Sequence, residues 1–383
     1  MDTLTHALSG ALVARLNATR QAPHAATATA FDRHPAAGRF SAFWDGRPGA
    51  PMPWQAVVVG LVAGAFPDID ALVQLAGDVA YLRHHRGVTH SLLMAPLWAA
   101  LVAAAMALMF GALRQQPGGW KSLYPVALAG IVVHIAGDWI TQFGTMLLAP
   151  LSDARFGLGS VFIIDLVFSG IIVAGLLASA AVRRSRVPAM AALALLPCWV
   201  GLTVVGRSEA LAFAHDYAAR QGIQARIIDA APRPASPFNW SVFVFDGTRY
   251  HVAHVNTRRS APLLVTPDDH FVRRFSAPYQ PLSLAHWESY EKFGVDAPAL
   301  AREVWEHPQF GFFRWFAMYP LVYRVETRGA GANAETCVWY RDLRFGFPGR
   351  TSVPFRFGMC RAGPGREWAL FALDDIAGRA ALR

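Results

Sequence analysis

The stretch His134-Ile-Ala-Gly-Asp138, continuing as Trp139-Ile-Thr-Gln-Phe-Gly-Thr145, lies in a long apolar run and decides how the first half of this chain is read. A His and an Asp four residues apart leave one helix face a turn apart, so imidazole and carboxylate can converge on one cation. In a soluble helix that spacing carries little weight. Here the flanking residues are apolar enough for a bilayer, where an idle ionisable pair is costly. The pair predicts a metal site built into a membrane helix bundle.

Working outward, other His and Asp residues stand at the edges of neighbouring apolar segments. Asp2 and His6 share a helical stripe with Gly10 and Ala14 at a four-residue spacing. The second apolar segment stops at Pro67-Asp-Ile-Asp70. His84-His85-Arg-Gly-Val-Thr-His90 follows; His85 and His90 are five apart and cannot share a helix face, but Gly87 permits a turn that aims both inward. Asp165 opens a later segment, as a ligand or as a partner orienting a histidine. Each has a structural alternative: an interfacial histidine for His6, helix-terminal caps for Asp68 and Asp70, an interface loop for residues 84–90.

Hydrolases that work through metal ions need hard carboxylates, imidazoles to fix geometry and a position for water. The expected ligands are therefore His6, Asp68, Asp70, His85, His90, His134, Asp138 and Asp165, with Asp68, Asp70, His134 and Asp138 carrying the chemistry. The ion expected is divalent, zinc before others, with room for more than one. No Gly-x-Ser-x-Gly elbow, phosphate-binding glycine loop or His-Glu-x-x-His run offers a competing chemistry.

The chain has 383 residues, 54% hydrophobic and only 16% charged, which is too apolar for an ordinary soluble protein. The apolar segments all precede residue 206. The expected architecture is an α-helical membrane bundle of about six helices over residues 1–206, with a loop insertion at 17–53, followed by a soluble, mainly antiparallel α+β domain over 207–383. Spans are expected at 92–113, 123–141, 161–182 and 189–206, after a first pair of helices at 2–16 and from Trp54. In the second part, residues 240–245 and 250–255 around Asp246-Gly247 predict a hairpin, residues 284–306 a helical region, and residues 322–327, 336–345, 353–357 and 368–373 strands. His251, His254 and Arg341-Asp342 are read there as structural.

The formal charge of +9 does not predict a nucleic-acid partner, because the basic residues form no clustered stripe; Lys occurs only at 121 and 292. No cleavable signal peptide is expected, since Asp2 follows Met1 without a basic leader region. Arg183-Arg-Ser-Arg186 supplies the strongest positive-inside signal, with Arg114 and Lys121 on the same side by parity. That places the candidate ligands toward the opposite face and the C-terminal domain in the periplasm; Arg83 and Arg86 run against the rule. Cys198, Cys337 and Cys360 lack Cys-x-x-Cys spacing, which excludes a thiolate zinc site. In a periplasmic domain Cys337 and Cys360 can pair while Cys198 stays free.

Taken together, Met1-Asp-Thr-Leu-Thr-His6-Ala-Leu-Ser-Gly10, Phe66-Pro-Asp-Ile-Asp70, His85-Arg-Gly-Val-Thr-His-Ser91 and His134-x-x-x-Asp138-Trp-x-Thr-x-x-Gly144-Thr resemble the YdjM-like family of membrane-bound metal-dependent hydrolases, over about residues 1–170. The resemblance implies a multi-pass bacterial inner-membrane protein with hydrolase activity. It also suggests distant similarity to zinc-dependent phospholipase C, whose His-x-x-x-Asp helix pair looks like His134/Asp138. On that analogy His6, an aspartate of the 68/70 pair, and His85 or His90 complete the cluster. The insertion after the first helix departs from the family pattern, and the C-terminal domain inherits nothing. The leading expectation is metal-dependent hydrolysis of a phosphoester, with membrane lipids as neighbours and a lipid-linked substrate reaching the site from the outer leaflet. The alternative is a non-catalytic, metal-stabilised membrane module whose outer domain binds a lipid or protein partner. A site closed by protein ligands favours that module; an open coordination position favours hydrolysis. A metal transporter fits less well, because the ligands gather at one face.

Overall fold

Helix α1 (Thr3–Ala18) and helix α2 (Pro53–Ala65) meet because their facing residues are stripped to glycine and alanine. A methyl group added at Gly10 would lie 2.0 Å from the carbonyl oxygen of Gly60, and one added at Gly64 would lie 2.5 Å from that of His6. The stripe expected from the four-residue spacing is thus the α1 contact face, and it carries His6 to the end of α2. The structure, a computed structural model, describes residues 1–18, 51–183, 185–331, 334–350, 353–363, 365–374 and 378–382. The loop expected at 17–53 lies largely outside them.

After α2 the chain tightens into a 3-10 helix, Phe66–Ala76, that carries Asp68 and Asp70. Then come α3 (Asp78–His84), a single 3-10 turn over Val88–His90, α4 (Ala95–Met109), α5 (Gly111–Arg114), α6 (Tyr124–Trp139), α7 (Leu166–Ala181) and α8 (Val187–Arg220). Two compact units are distinguished: Met1–Asp70 with Arg86–Gly201, and Ala71–His85 with Leu202–Arg383. The core of the first is built from small and branched residues, among them Val59, Ala63, Ala99, Val102, Ala127 and Ile131. Leu97, Leu101, Leu108, Leu177 and Leu195 remain exposed, as expected of helix faces that meet lipid.

Among the described residues, two helical stretches, Pro53–Ala76 and Val187–Arg220, are long and apolar enough to cross a membrane, and a third is reached if Asp78–His90 and Ala95–Met109, bent by 82°, count as one span. The expected spans at 92–113, 123–141 and 161–182 are shorter as helices. α6 and α7 have 16 residues each, about 24 Å at 1.5 Å per residue, against a hydrocarbon thickness of about 30 Å. The last expected span, 189–206, runs on instead to Arg220. Ala210, Ala214 and Ala218 form a buried small-residue stripe that docks the end of α8 on a sheet, so the helical period continues past the change to polar composition.

That sheet consists of β1 (Ile227–Pro232), β2 (Asn239–Phe245), β3 (Arg249–Asn256), β4 (Gln280–Pro281) and β5 (Trp287–Glu291). The expected hairpin is present, with Phe245 opposite Tyr250 across the turn. Before β4 lies α9 (Phe271–Ser276). The helix expected over 284–306 is mostly not one: residues 287–291 pair antiparallel with β3, and only α10 (Pro298–Glu306) is helical, started by its proline. After α11 (Gly311–Phe316), an antiparallel meander runs through β6 (Pro320–Arg328), β7 (Glu335–Asp342), β8 (Arg356–Ala362), β9 (Ala369–Asp374) and β10 (Gly378–Ala381). Cys337 and Cys360 are register partners on β7 and β8 and form a disulfide; Cys198 is free.

Candidate metal centre

Asp68, His90, His134 and Asp138 each turn one donor atom toward a common point, all within 4.8 Å of one another. The two imidazole Nε2 atoms are 3.0 Å apart. His90 Nε2 is 3.2 Å from Asp138 Oδ2 and 3.5 Å from Asp68 Oδ1. His134 Nε2 is 3.5 Å from Asp138 Oδ2 and 3.6 Å from Asp68 Oδ1. A tetrahedron with the roughly 2.0–2.1 Å bonds that zinc makes to nitrogen and oxygen has edges of about 3.3–3.4 Å. Five of the six donor–donor separations thus lie near the edges of such a tetrahedron, and two imidazoles with two carboxylates are a fitting donor set for a divalent ion.

The hydrogen bonds behind the imidazoles fix which nitrogen faces inward. His134 Nδ1 lies 2.6 Å from the carbonyl oxygen of Gly64, which can only accept, so Nδ1 carries the proton and Nε2 presents a lone pair. His90 Nδ1 is 3.4 Å from Asp70 Oδ2 and 3.0 Å from Thr89 Oγ1, the carboxylate–imidazole arrangement that orients metal-binding histidines. The two Nε2 atoms then meet at 3.0 Å, a separation that a proton shared between them or a cation bridging them satisfies. Asp138 Oδ2 is likewise buried without a hydrogen-bond partner, which a bound ion would satisfy.

The opposite oxygen of Asp138 has a different role. Oδ1 accepts from the Arg86 guanidinium at 2.9 Å, from His6 Nε2 at 3.0 Å and from the α-amino group of Met1. Arg86 is almost fully buried, and its backbone, at φ 58°, is held by its N–H donating to Asp70 Oδ2 at 2.8 Å. Its guanidinium also donates to Thr141 Oγ1 at 2.8 Å. Thr141, in the Trp-x-Thr-x-x-Gly run after Asp138, in turn donates to the Asp138 carbonyl. That run serves as the seat of a buried arginine, which sequence reasoning did not place at the site. The signal was that Arg86 runs against the charge pattern expected for the 77–91 connection, and the structure has it buried and paired with Asp138 rather than lying as a free loop charge.

The remaining expected residues fall around the four. His6 stacks on His134 with ring centroids 3.7 Å apart, made possible by Gly137, where a methyl group would sit 3.0 Å from the His6 ring. It contacts Asp138 without joining the group of four. Asp70 stands behind His90, as an orienting carboxylate. Asp68 keeps its second oxygen on Thr3 Oγ1 at 2.6 Å. His85 belongs to the second unit, its ring 4.8 Å from Tyr81; the left-handed Arg86 turns the chain between it and His90. Asp165 caps α7, Oδ1 accepting from the amides of Val167 and Phe168 and Oδ2 from the Trp199 indole at 3.0 Å. Of the four clustered residues Asp68 alone has appreciable exposure, 15% against 0–1% for the others, so solvent reaches the cluster from its side.

Glu335, Cys337 and Cys360 also gather three donors, but the disulfide removes both thiolates. His254, in the second unit, accepts at Nδ1 from Ser241 Oγ at 2.6 Å, and Asp342 accepts from the amides of Met318, Tyr319 and Arg344, as structural roles require.

The "Uncharacterized protein YfhP" of Bacillus subtilis (strain 168) is 29% identical over 111 residues, 29% of this chain. The alignment spans about a third of that relative's length, 32%. No solved structure matches. The family model described as YdjM inner membrane protein matches residues 1–210, which contain every residue of the cluster. The chain belongs to the YdjM inner membrane protein family.

Proposed function

We propose that this is a divalent-metal-dependent hydrolase of the inner membrane that cleaves a phosphoester, with one ion held by Asp68, His90, His134 and Asp138. The convergence of four donor atoms supports the ion, and the observation that carries hydrolysis over a closed structural site is the 15% exposure of Asp68, the side on which water can reach a further coordination position. A zinc-like ion there supplies Lewis acidity, polarising a phosphoryl oxygen and making water a better nucleophile near neutral pH. The residues do the positioning: Asp70 and Gly64 hold the imidazoles, and Arg86 neutralises one oxygen of Asp138. Asp68, the exposed corner, is where a lipid-linked phosphoester and water reach the centre.

A second reading rests on the same four donors: a tetrahedral site filled by protein is the form of a structural metal, here bracing α6 against the turn at Asp68. One experiment separates them. Detergent-purified, zinc-loaded protein is assayed on soluble and lipid-linked phosphomonoesters and diesters, beside His134→Gln. Turnover abolished in the variant supports hydrolysis. A zinc-replete wild type inactive on the whole panel, yet destabilised by chelation, assigns the ion to structure.

The same proposal places α2, α4, α6, α7 and α8 in the membrane with α1 packed against them, and the domain after α8 in the periplasm. Exposed leucines on those helices, the Arg183–Arg186 turn and a disulfide of the kind kept in oxidising compartments support it. A C-terminal alkaline phosphatase fusion should be active; an active cytoplasmic reporter at that position, with the phosphatase silent, reverses the topology.

A further inference from the structure

The second unit contains a cleft of about 310 Å³ between α9 with its following turn and the segment 347–350. Its walls are aromatic, Phe271, Phe275, Tyr279 and Phe347, and its charged lining residues are Arg274 and Arg350, with no carboxylate among them. The volume is at the lower end of the range for small-molecule sites, about 300–1,000 Å³.

Both walls are tied in place from beneath. Arg259 donates to the carbonyls of Ser276 at 3.2 Å and Tyr279 at 2.7 Å and to Ser276 Oγ at 2.9 Å. Asn239, on β2, donates to the same hydroxyl at 3.0 Å. On the other side the Arg233 guanidinium lies 5.1 Å from the Phe347 ring, and the Arg350 amide closes a turn onto the Phe347 carbonyl at 3.1 Å. The Arg350 guanidinium reaches across to lie 4.7 Å from the Phe275 ring.

The charges around this cleft are out of balance. Nearby Arg273 pairs with Asp269 and Arg258 with Glu209, but among the described residues neither Arg274 nor Arg350 makes an ion pair. Behind the Phe347 wall, Arg233 is buried with Nη2 lacking a hydrogen-bond acceptor among the described residues. A preformed aromatic slot under two uncompensated guanidinium groups suits a ligand with a compact anionic head and an apolar body. Guanidinium forks match phosphate oxygens in pairs, and two of them balance the double charge of a phosphomonoester better than a single carboxylate.

We infer that this cleft binds a phosphomonoester carrying an apolar or aromatic body, its phosphate on Arg274 and Arg350 and its body on Phe271, Phe275 and Phe347. The site uses no residue of the metal cluster and stands whether or not that cluster is catalytic. Phosphatidic acid and soluble aryl phosphates share this chemistry.

The test is calorimetric titration of the full-length protein, freed of metal with chelator so that phosphate cannot bind at an ion. The probes are inorganic phosphate, phenyl phosphate and dihexanoyl phosphatidic acid. At least one organic phosphate should bind at a single site, tenfold or more tighter than inorganic phosphate, and the tighter of the two identifies the source. Arg274→Gln/Arg350→Gln should weaken it tenfold or more, as loss of charge-assisted bonds requires. Both arginines are exposed, so the variant should keep the fold, checked by near-ultraviolet circular dichroism. Phe275→Ala should weaken the organic phosphates and leave inorganic phosphate unchanged. No saturable binding, binding unaltered in the double variant, or inorganic phosphate binding as tightly as the others each overturns the inference.

Discussion

Asp138 does two jobs with its two oxygens, and they can be separated by comparing Asp138→Asn with His134→Gln. Oδ2 faces the imidazoles, whereas Oδ1 is the counter-charge of Arg86, 2.9 Å away and 3% exposed. Neutralising Asp138 should therefore remove the metal and also strand a buried guanidinium, which costs about 3–5 kcal/mol when one partner of a buried pair is lost. His134→Gln removes a metal ligand and leaves the Arg86–Asp138 pair whole. With metal at about 1,000 times its dissociation constant, binding stabilises the folded state by about 4 kcal/mol. Both variants should lose that term. Unfolding of the detergent-solubilised protein, followed with and without EDTA, reads the difference. In EDTA the wild type and His134→Gln should nearly coincide, while Asp138→Asn stays about 3–5 kcal/mol lower; adding Arg86→Met to Asp138→Asn should recover part of the loss. If the two single variants are indistinguishable in EDTA, the ion pair is not what Asp138 supplies. If EDTA leaves the wild type unchanged, the cluster holds no stabilising ion.

Asp70→Asn should keep the acceptor for the Arg86 amide while removing the carboxylate behind His90. Zinc affinity should fall about 10-fold, the low end of the 10–100-fold range for such partners, because Thr89 Oγ1 at 3.0 Å remains for Nδ1; competition titration against a zinc chelator measures it, and unchanged affinity removes Asp70 from the site. In the second unit, burial and then the nearby Arg233 charge push His254 down to about 3 from 6.5. The folded protein thus binds fewer protons than the unfolded one, so this stabilisation is complete above pH 6.5. It should be lost as pH falls toward 3, by about 1.4 kcal/mol per pH unit. Hydrogen exchange of β2 and β3 in the full chain should show that slope, and His254→Gln should flatten it; a slope unaltered in the variant assigns the acid sensitivity elsewhere.

The parts of the site that the sequence reveals are those fixed within one element. His134 and Asp138 converge because an α-helix sets i and i+4 on one face, whatever surrounds it. The choice between Asp68 and Asp70 depends on helix type. They lie in a 3-10 helix, where each residue advances about 120°, so positions two apart point about 240° round and cannot both face the ion. Asp68 turns into the cluster and Asp70 goes behind His90. Telling His90 from His85 requires the turn at Arg86, a non-glycine residue in the left-handed region whose amide is held by Asp70, sixteen positions away. In the second half, period-two alternation found the 240–255 hairpin. The end of α8 was missed because an alanine stripe on a sheet replaces a greasy face on lipid, and composition changes at 206 where helical periodicity does not.

Arg86 also changes what the charge pattern says. Counted as a loop residue, it weighs against a periplasmic placement of the 77–91 connection. Buried against Asp138, it forms part of a neutral pair, and a paired charge contributes little to the asymmetry that orients a membrane protein. The same pairing bears on the ion. A carboxylate with cations on one oxygen is a weaker donor through the other, so the charge that Arg86 supplies tempers the affinity of the site while keeping the negative charges of Asp68 and Asp138 from repelling each other when no ion is bound. The arginine is thus the feature that allows two carboxylates to be held beside two imidazoles in an apolar helix packing.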